Sequence, residues 1–92
     1  MELLQCPCCD HFTLEKRAVW DICPVCYWED DGHDLDRQDD PSGCNRGMTL
    51  RHGRENFRRL GTCEPWMVQY DCAAEDRLLY KHSPRTRGPH QS

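Results

Sequence analysis

With 92 residues, 37% hydrophobic content, a mean hydropathy of −0.93 and a net charge of −4, the chain has material for one domain but not for a generous apolar core. No apolar run approaches the roughly 18 residues a membrane-spanning helix needs, so a membrane role is excluded as an expectation. Eight cysteines therefore suggest a covalent or metal staple in place of a large core.

The opening Met1-Glu2-Leu3-Leu4-Gln5 runs into Cys6 without a basic and apolar leader, which predicts a cytoplasmic protein with reduced thiols. Two knuckles follow, Cys6-Pro7-Cys8-Cys9 and Cys23-Pro24-Val25-Cys26. The equal spacing predicts one structural Zn²⁺ on Cys6, Cys9, Cys23 and Cys26, ahead of disulfides or a redox pair. Each proline fixes φ in its turn and removes one amide, leaving later amides to face the sulfurs. The positions after the second cysteines, Asp10 and Tyr27, fall where φ > 0 is common, which Asp tolerates and Tyr resists. Cys8 competes with Cys9 as a ligand, and the x₂ spacing favours Cys9. Cys44, Cys63 and Cys72 lack paired spacing and read as small buried hydrophobes, with a second metal involving His33 or His52 as the sharper alternative.

Between the knuckles, Phe12-Thr13-Leu14 and Ala18 to Ile22 read as two strands of one hairpin turned by Glu15-Lys16-Arg17, with Trp20 and Ile22 on an apolar side. Tyr27 and Trp28 are expected to cover the metal. From Glu29 to Asp40 seven carboxylates face a single base, Arg37, which reads as a solvated acidic loop. Calcium is disfavoured because Gly and Glu are missing from the EF-hand positions counted from Asp34. Glu29, Asp30, Asp31, Asp34 and Asp36 become the candidate face for a basic partner. Residues 1–40 carry eleven acids against three bases, a net of −8, and residues 41–92 five acids against nine bases, a net of +4. The halves either attract one another or present separate surfaces.

Thr49 is a plausible N-cap for a helix from Leu50 to Leu60, with Leu50, Gly53, Phe57 and Leu60 on one face and Gly61 as its C-terminal stop. Arg51, Arg54 and Arg58 form a neighbouring stripe suited to phosphates, to solvent or to the acidic loop. Pro65 to Tyr70 reads as a short strand or anchoring segment and Ala73 to Tyr80 as a last helix. Residues 1–80 would form the domain and residues 81–92 a flexible basic tail.

Cys6-Pro7-Cys8-Cys9, the run Ile22-Cys23-Pro24-Val25-Cys26-Tyr27-Trp28-Glu29-Asp30-Asp31, and Asn45 to Gly61 with its Asn56-Phe57 pair together resemble the bacterial cysteine-rich CPCC family. The resemblance implies a small α+β metal-stabilised domain of zinc-ribbon or rubredoxin-like type, a β-hairpin with two CPxC knuckles followed by one or two short helices. The chain departs from the family pattern at Asp10, where Gly is usual, and at His52-Gly53, where Glu-Ala is usual. The second change removes a capping box with Thr49 and costs the helix roughly 0.5–1 kcal/mol. A closed four-thiolate site and no evident nucleophile–base pair argue against an enzyme. The expectation is a zinc-binding protein-interaction module, in its sharpest form an immunity protein neutralising a basic bacterial toxin. The alternative is a nucleic-acid-binding ribbon using the arginine-bearing helix and the tail, which the acidic first half disfavours.

Overall fold

The computed structural model describes residues 2–70 and 74–85, a small α+β domain. Its strands are short: β1 (Leu4–Gln5) pairs antiparallel with β2 (Phe12–Leu14), and β3 (Pro41–Ser42) with β4 (Met48–Thr49). The helix α1 (Leu50–Leu60) follows β4 directly, and 3₁₀ turns occupy Leu35–Arg37, Gly43–Asn45 and Pro65–Tyr70. The single helical turn α2 (Ala74–Arg77) follows. Among the described residues, no helix is long and apolar enough to cross a membrane.

The expected hairpin between the knuckles does not form. Instead each knuckle is the tip of its own narrow hairpin: β1 leads into the first and β2 leaves it, while a bridge between Ile22 and Glu29 closes the second. Residues 15–19 are a bent connection, and Ala18 within it and Trp20 just after it hold φ of 63° and 63°, a region that breaks strand geometry. The supposed apolar side consequently faces water, with Trp20 61% and Ile22 59% exposed.

The core is built largely of sulfur. Cys6, Cys8, Cys9, Cys23, Cys26 and Cys63 are buried with Leu14, Val25, Trp28 and Leu50. The helix docks onto this cluster as its ends were expected to allow. Thr49 Oγ1 accepts from the His52 amide at 3.2 Å, and Gly61 (φ 87°) donates its amide to the Phe57 carbonyl at 2.8 Å. Gly53 lies against Trp28: a Cβ there would stand 3.0 and 3.1 Å from two ring carbons. Phe57 and Leu60 are half-buried, while the helix buries Arg54 and Asn56 instead.

Pro65–Tyr70 is a 3₁₀ helix rather than a strand, and α2 is only one turn of the longer helix expected over 73–80. Residues 81–85 are not free of the domain. The Phe12 amide donates to the Lys81 carbonyl (2.8 Å), the Ser83 amide donates to the Asp10 carbonyl (3.3 Å), and His82 stacks on His11 with centroids 4.0 Å apart. The rest of the expected tail, residues 86–92, and Cys72 lie outside the described residues.

Candidate metal centre

The two knuckles repeat one another bond for bond. In the first, the Cys6 amide donates to the His11 carbonyl (2.8 Å) and the Asp10 amide to the Cys6 carbonyl (3.0 Å). In the second, the Cys23 amide donates to Trp28 (3.0 Å) and the Tyr27 amide to Cys23 (2.8 Å). Asp10 and Tyr27 hold φ of 67° and 69°, so Tyr27 accepts the left-handed conformation its side chain disfavours in order to keep the turn.

The repetition brings four sulfurs together. Cys6 and Cys26 Sγ lie 3.7 Å apart, Cys9 and Cys23 Sγ 3.7 Å apart, and all four within 4.8 Å of one another. A tetrahedral ion with bonds of about 2.3 Å to sulfur sets its ligands about 3.8 Å apart, so the donor set fits such an ion. Around it, Thr13 Oγ1 lies 3.1 Å from Cys23 Sγ and becomes the donor when that sulfur is a thiolate. The Val25 amide donates to the same sulfur at 3.4 Å, and the Cys63 amide ties its turn to the Cys26 carbonyl at 2.9 Å.

The protein alone cannot hold four negative charges here. Burial raises Cys23, yet hydrogen bonds from Cys26, Cys6, Cys9 and Thr13 outweigh it and hold this thiol well below its ordinary value. Burial and the neighbouring sulfurs push Cys26 well up, and the hydrogen bond to Cys23 pushes Cys9 up. A thiolate at Cys23 is thereby favoured while Cys9 and Cys26 keep their protons, a charge balance that a cation would shift by displacing them.

Cys8 does not belong to the four-sulfur group; it is buried beneath Gly53, and burial raises its thiol. Cys63 is buried against Met67, its Sγ 3.9 Å from the thioether, and Cys44 is half-buried beside Ser42 and the Glu29 carbonyl. His33 stands 3.5 Å from Asp31 and His52 is exposed, and the described residues hold no second group of possible metal ligands. Trp28 is fully buried in the sulfur core, as a cover for the site requires, whereas Tyr27 is only half-buried.

The acidic loop is less solvated than its composition suggests. Asp30 is fully buried and accepts from Arg17 Nε (2.7 Å) and from the amides of Ala18 (2.8 Å) and Gly32 (3.2 Å). Asp31 accepts from Ser42 Oγ (2.5 Å) and the His33 amide (3.1 Å), and Asp34 from Arg17 (2.9 Å) and the Leu35 amide (2.8 Å). Asp36 is exposed and Glu29 half-exposed; the Glu29 backbone is gripped by Asn45, which the sequence did not single out. The grouping of five acids as a face therefore fails at Asp30.

The two halves of the chain do attract one another. Arg51 reaches Asp39 at 2.6 Å, Arg54 reaches Asp10 at 2.8 Å, and Arg85 reaches Asp10 and Asp34 at 2.8 and 3.3 Å. Two members of the arginine stripe are thus internal ties, and Arg58 alone extends into solvent with Glu55 4.0 Å away. The buried Arg54–Asp10 pair was missed because an arginine inside an amphipathic pattern reads as surface. Asp10 in place of a glycine was the available signal.

Together the fold and the four buried thiols define a small cysteine-stapled domain able to hold one metal ion. The chain belongs to the cysteine-rich CPCC family, whose model matches residues 4–77. No curated protein and no solved structure matches it.

Proposed function

We propose that this protein is a zinc-stapled, non-catalytic protein-interaction module. The four buried sulfurs at tetrahedral spacing carry the reading: a closed thiolate set leaves no coordination position for activated water or substrate, so the ion's work is structural. Sulfur tetrahedra suit zinc or iron, and elemental analysis with a visible spectrum separates them. One zinc per chain and a colourless protein are expected. Stoichiometric iron with visible absorption would overturn the zinc assignment and favour an electron carrier.

The interaction surface is best placed on the bent connection beside the second knuckle. Val19, Trp20 and Ile22 are 43%, 61% and 59% exposed, flanked by exposed Glu15 and Asp21. Holding Trp20 at positive φ costs on the order of 1–3 kcal/mol, and the buried Asp30 clamp on Arg17 and Ala18 supports that conformation. One exposed aromatic and two exposed aliphatic side chains with acidic neighbours fit a basic protein partner with an apolar seat, of which a cationic toxin is one instance. Affinity capture from nuclease-treated lysate is expected to return a basic protein that Trp20→Ser loses. Capture that depends on intact nucleic acid, or that Trp20→Ser leaves unchanged, would overturn this placement.

A further inference from the structure

A cavity of about 420 Å³ opens between the first knuckle, the outer face of α1 and the C-terminal segment. Its charge is one-sided. Arg54, Arg58 and Arg85 line it with His82, against a single acid, Asp10. That acid is already neutralised, because Arg54 meets both of its oxygens at 2.8 and 3.1 Å and Arg85 adds its Nε at 2.8 Å and its amide at 2.7 Å.

Donors remain after this pairing. Arg54 has spent its terminal nitrogens on Asp10 and on the Pro7 and Arg85 carbonyls (2.6 and 2.7 Å), but Arg85 Nη2 is buried with no acceptor among the described residues. A buried guanidinium nitrogen without an acceptor is unfavourable, and a rotation of the Arg85 side chain, which is 28% exposed, would turn it to an oxyanion in the cavity. Arg58 is 66% exposed, its nearest carboxylate 4.0 Å away. Phe57, Pro84 and the Cys8 sulfur form the apolar part of the wall.

We infer that this cavity binds a small phosphate monoester, with Arg58 and Arg85 on the phosphate oxygens, His82 beside them and the ester's apolar carrier against Phe57 and Pro84. Arg85 also meets Asp34 at 3.3 Å, yet three guanidinium groups line the cavity against one carboxylate, which suits a dianion better than a singly charged carboxylate, and fork-shaped guanidinium groups match its oxygens. The volume admits one small molecule. The site borders the metal centre through Cys9, which lines the cavity, and is separate from the partner surface around Trp20.

The test is titration of the full-length, metal-loaded protein with phenyl phosphate at low salt, followed residue by residue by nuclear magnetic resonance. Saturable shifts at Phe57, His82 and Arg85 are expected, with a Kd on the order of 1 mM for a ligand of this size. Arg58→Gln, at an exposed position outside the packed core, should weaken binding about tenfold, whereas Arg59→Gln, outside the cavity wall, should leave it unchanged. Absence of saturation at roughly ten times that Kd, or equal weakening by both variants, would overturn the site. Benzoate binding as tightly as phenyl phosphate would overturn the preference for phosphate, and equal binding of inorganic phosphate would overturn the role of the apolar wall.

Discussion

Gly53→Ala sets two opposed effects against each other. In an exposed helix interior the change would stabilise by about 1 kcal/mol, since Gly is that much poorer than Ala. Here the added Cβ would stand 3.0 and 3.1 Å from two Trp28 ring carbons and 3.5 Å from Cys8 Sγ. Trp28 is fully buried, so the ring cannot swing into solvent, and α1 must lift off the sulfur core by a few tenths of an ångström. Overpacking of this kind costs typically 1–3 kcal/mol, so the net expectation is a loss of about 0–2 kcal/mol. Denaturant unfolding of the metal-loaded protein, with midpoints compared at constant m, reads this directly. The pair Gly53→Ala and Trp28→Phe separates the causes, because the smaller ring should accept the methyl group and the combination should lose less than the separate losses together. A gain approaching the full 1 kcal/mol for Gly53→Ala alone would refute the argument, showing that the helix–ring contact is soft.

The other predictions concern the metal, the clamp and acid. Cys9→Ser should reduce bound metal well below one per chain and unfold the domain in chelator, whereas Cys8→Ser should keep full metal content and lose about 1 kcal/mol of stability; metal analysis of both purified variants checks this. Asp30→Asn leaves Arg17 with Asp34 as its one remaining carboxylate and weakens a turn built on two amides, so a loss of about 2 kcal/mol is expected by chemical denaturation, reduced from a fully buried pair because Arg17 is 28% exposed and keeps Asp34 at 2.9 Å. For Asp34, burial pushes the carboxyl up, but Arg17 and the Leu35 amide outweigh it and hold the group below the ordinary value of 3.8. Its contribution, at most about 1 kcal/mol at this exposure, is therefore present above the unfolded value and lost as pH falls through the folded one. Stability curves of wild type and Asp34→Asn should differ at about pH 6, begin to approach one another near the ordinary value of 3.8 and converge only below the lowered folded value. A gap that persists there would show that the side chain acts by packing.

The four-cysteine cluster was legible because its information is local. Spacing alone selects Cys9 over Cys8, and the proline in each knuckle marks two equivalent turns. The helix was equally legible from Thr49 and Gly61, whose capping chemistry is local too. Strand pairing was not, since Phe12–Leu14 has the composition of a strand but nothing in it chooses Leu4–Gln5 over residues 18–22 as partner. The turn at Tyr27 overrides that residue's own preference, an override by tertiary context that composition conceals. The acidic loop misled for a related reason: counting carboxylates gives the charge but not which of them are consumed by Arg17, Ser42 and backbone amides.

The contacts of residues 81–85 with Asp10, His11 and Phe12 bear on the order in which the molecule assembles. Cys6 and Cys26 are 20 positions apart and Cys9 and Cys23 are 14, whereas Asp10 and Arg85 are 75 apart. Loop closure grows only logarithmically, so the distant contact costs roughly 1 kcal/mol more than the sulfur pairs, yet during synthesis it must wait until Arg85 has been added. The knuckles can meet once the chain has been made as far as Glu29, which closes the second turn, while the Arg54–Asp10 pair is sealed later by the Arg85 carbonyl and amide. Residues 81–85 thus act as a clasp over contacts made by the first half. A fusion or tag that displaces residues 81–85 would reopen the Asp10 layer while leaving the four sulfurs in place.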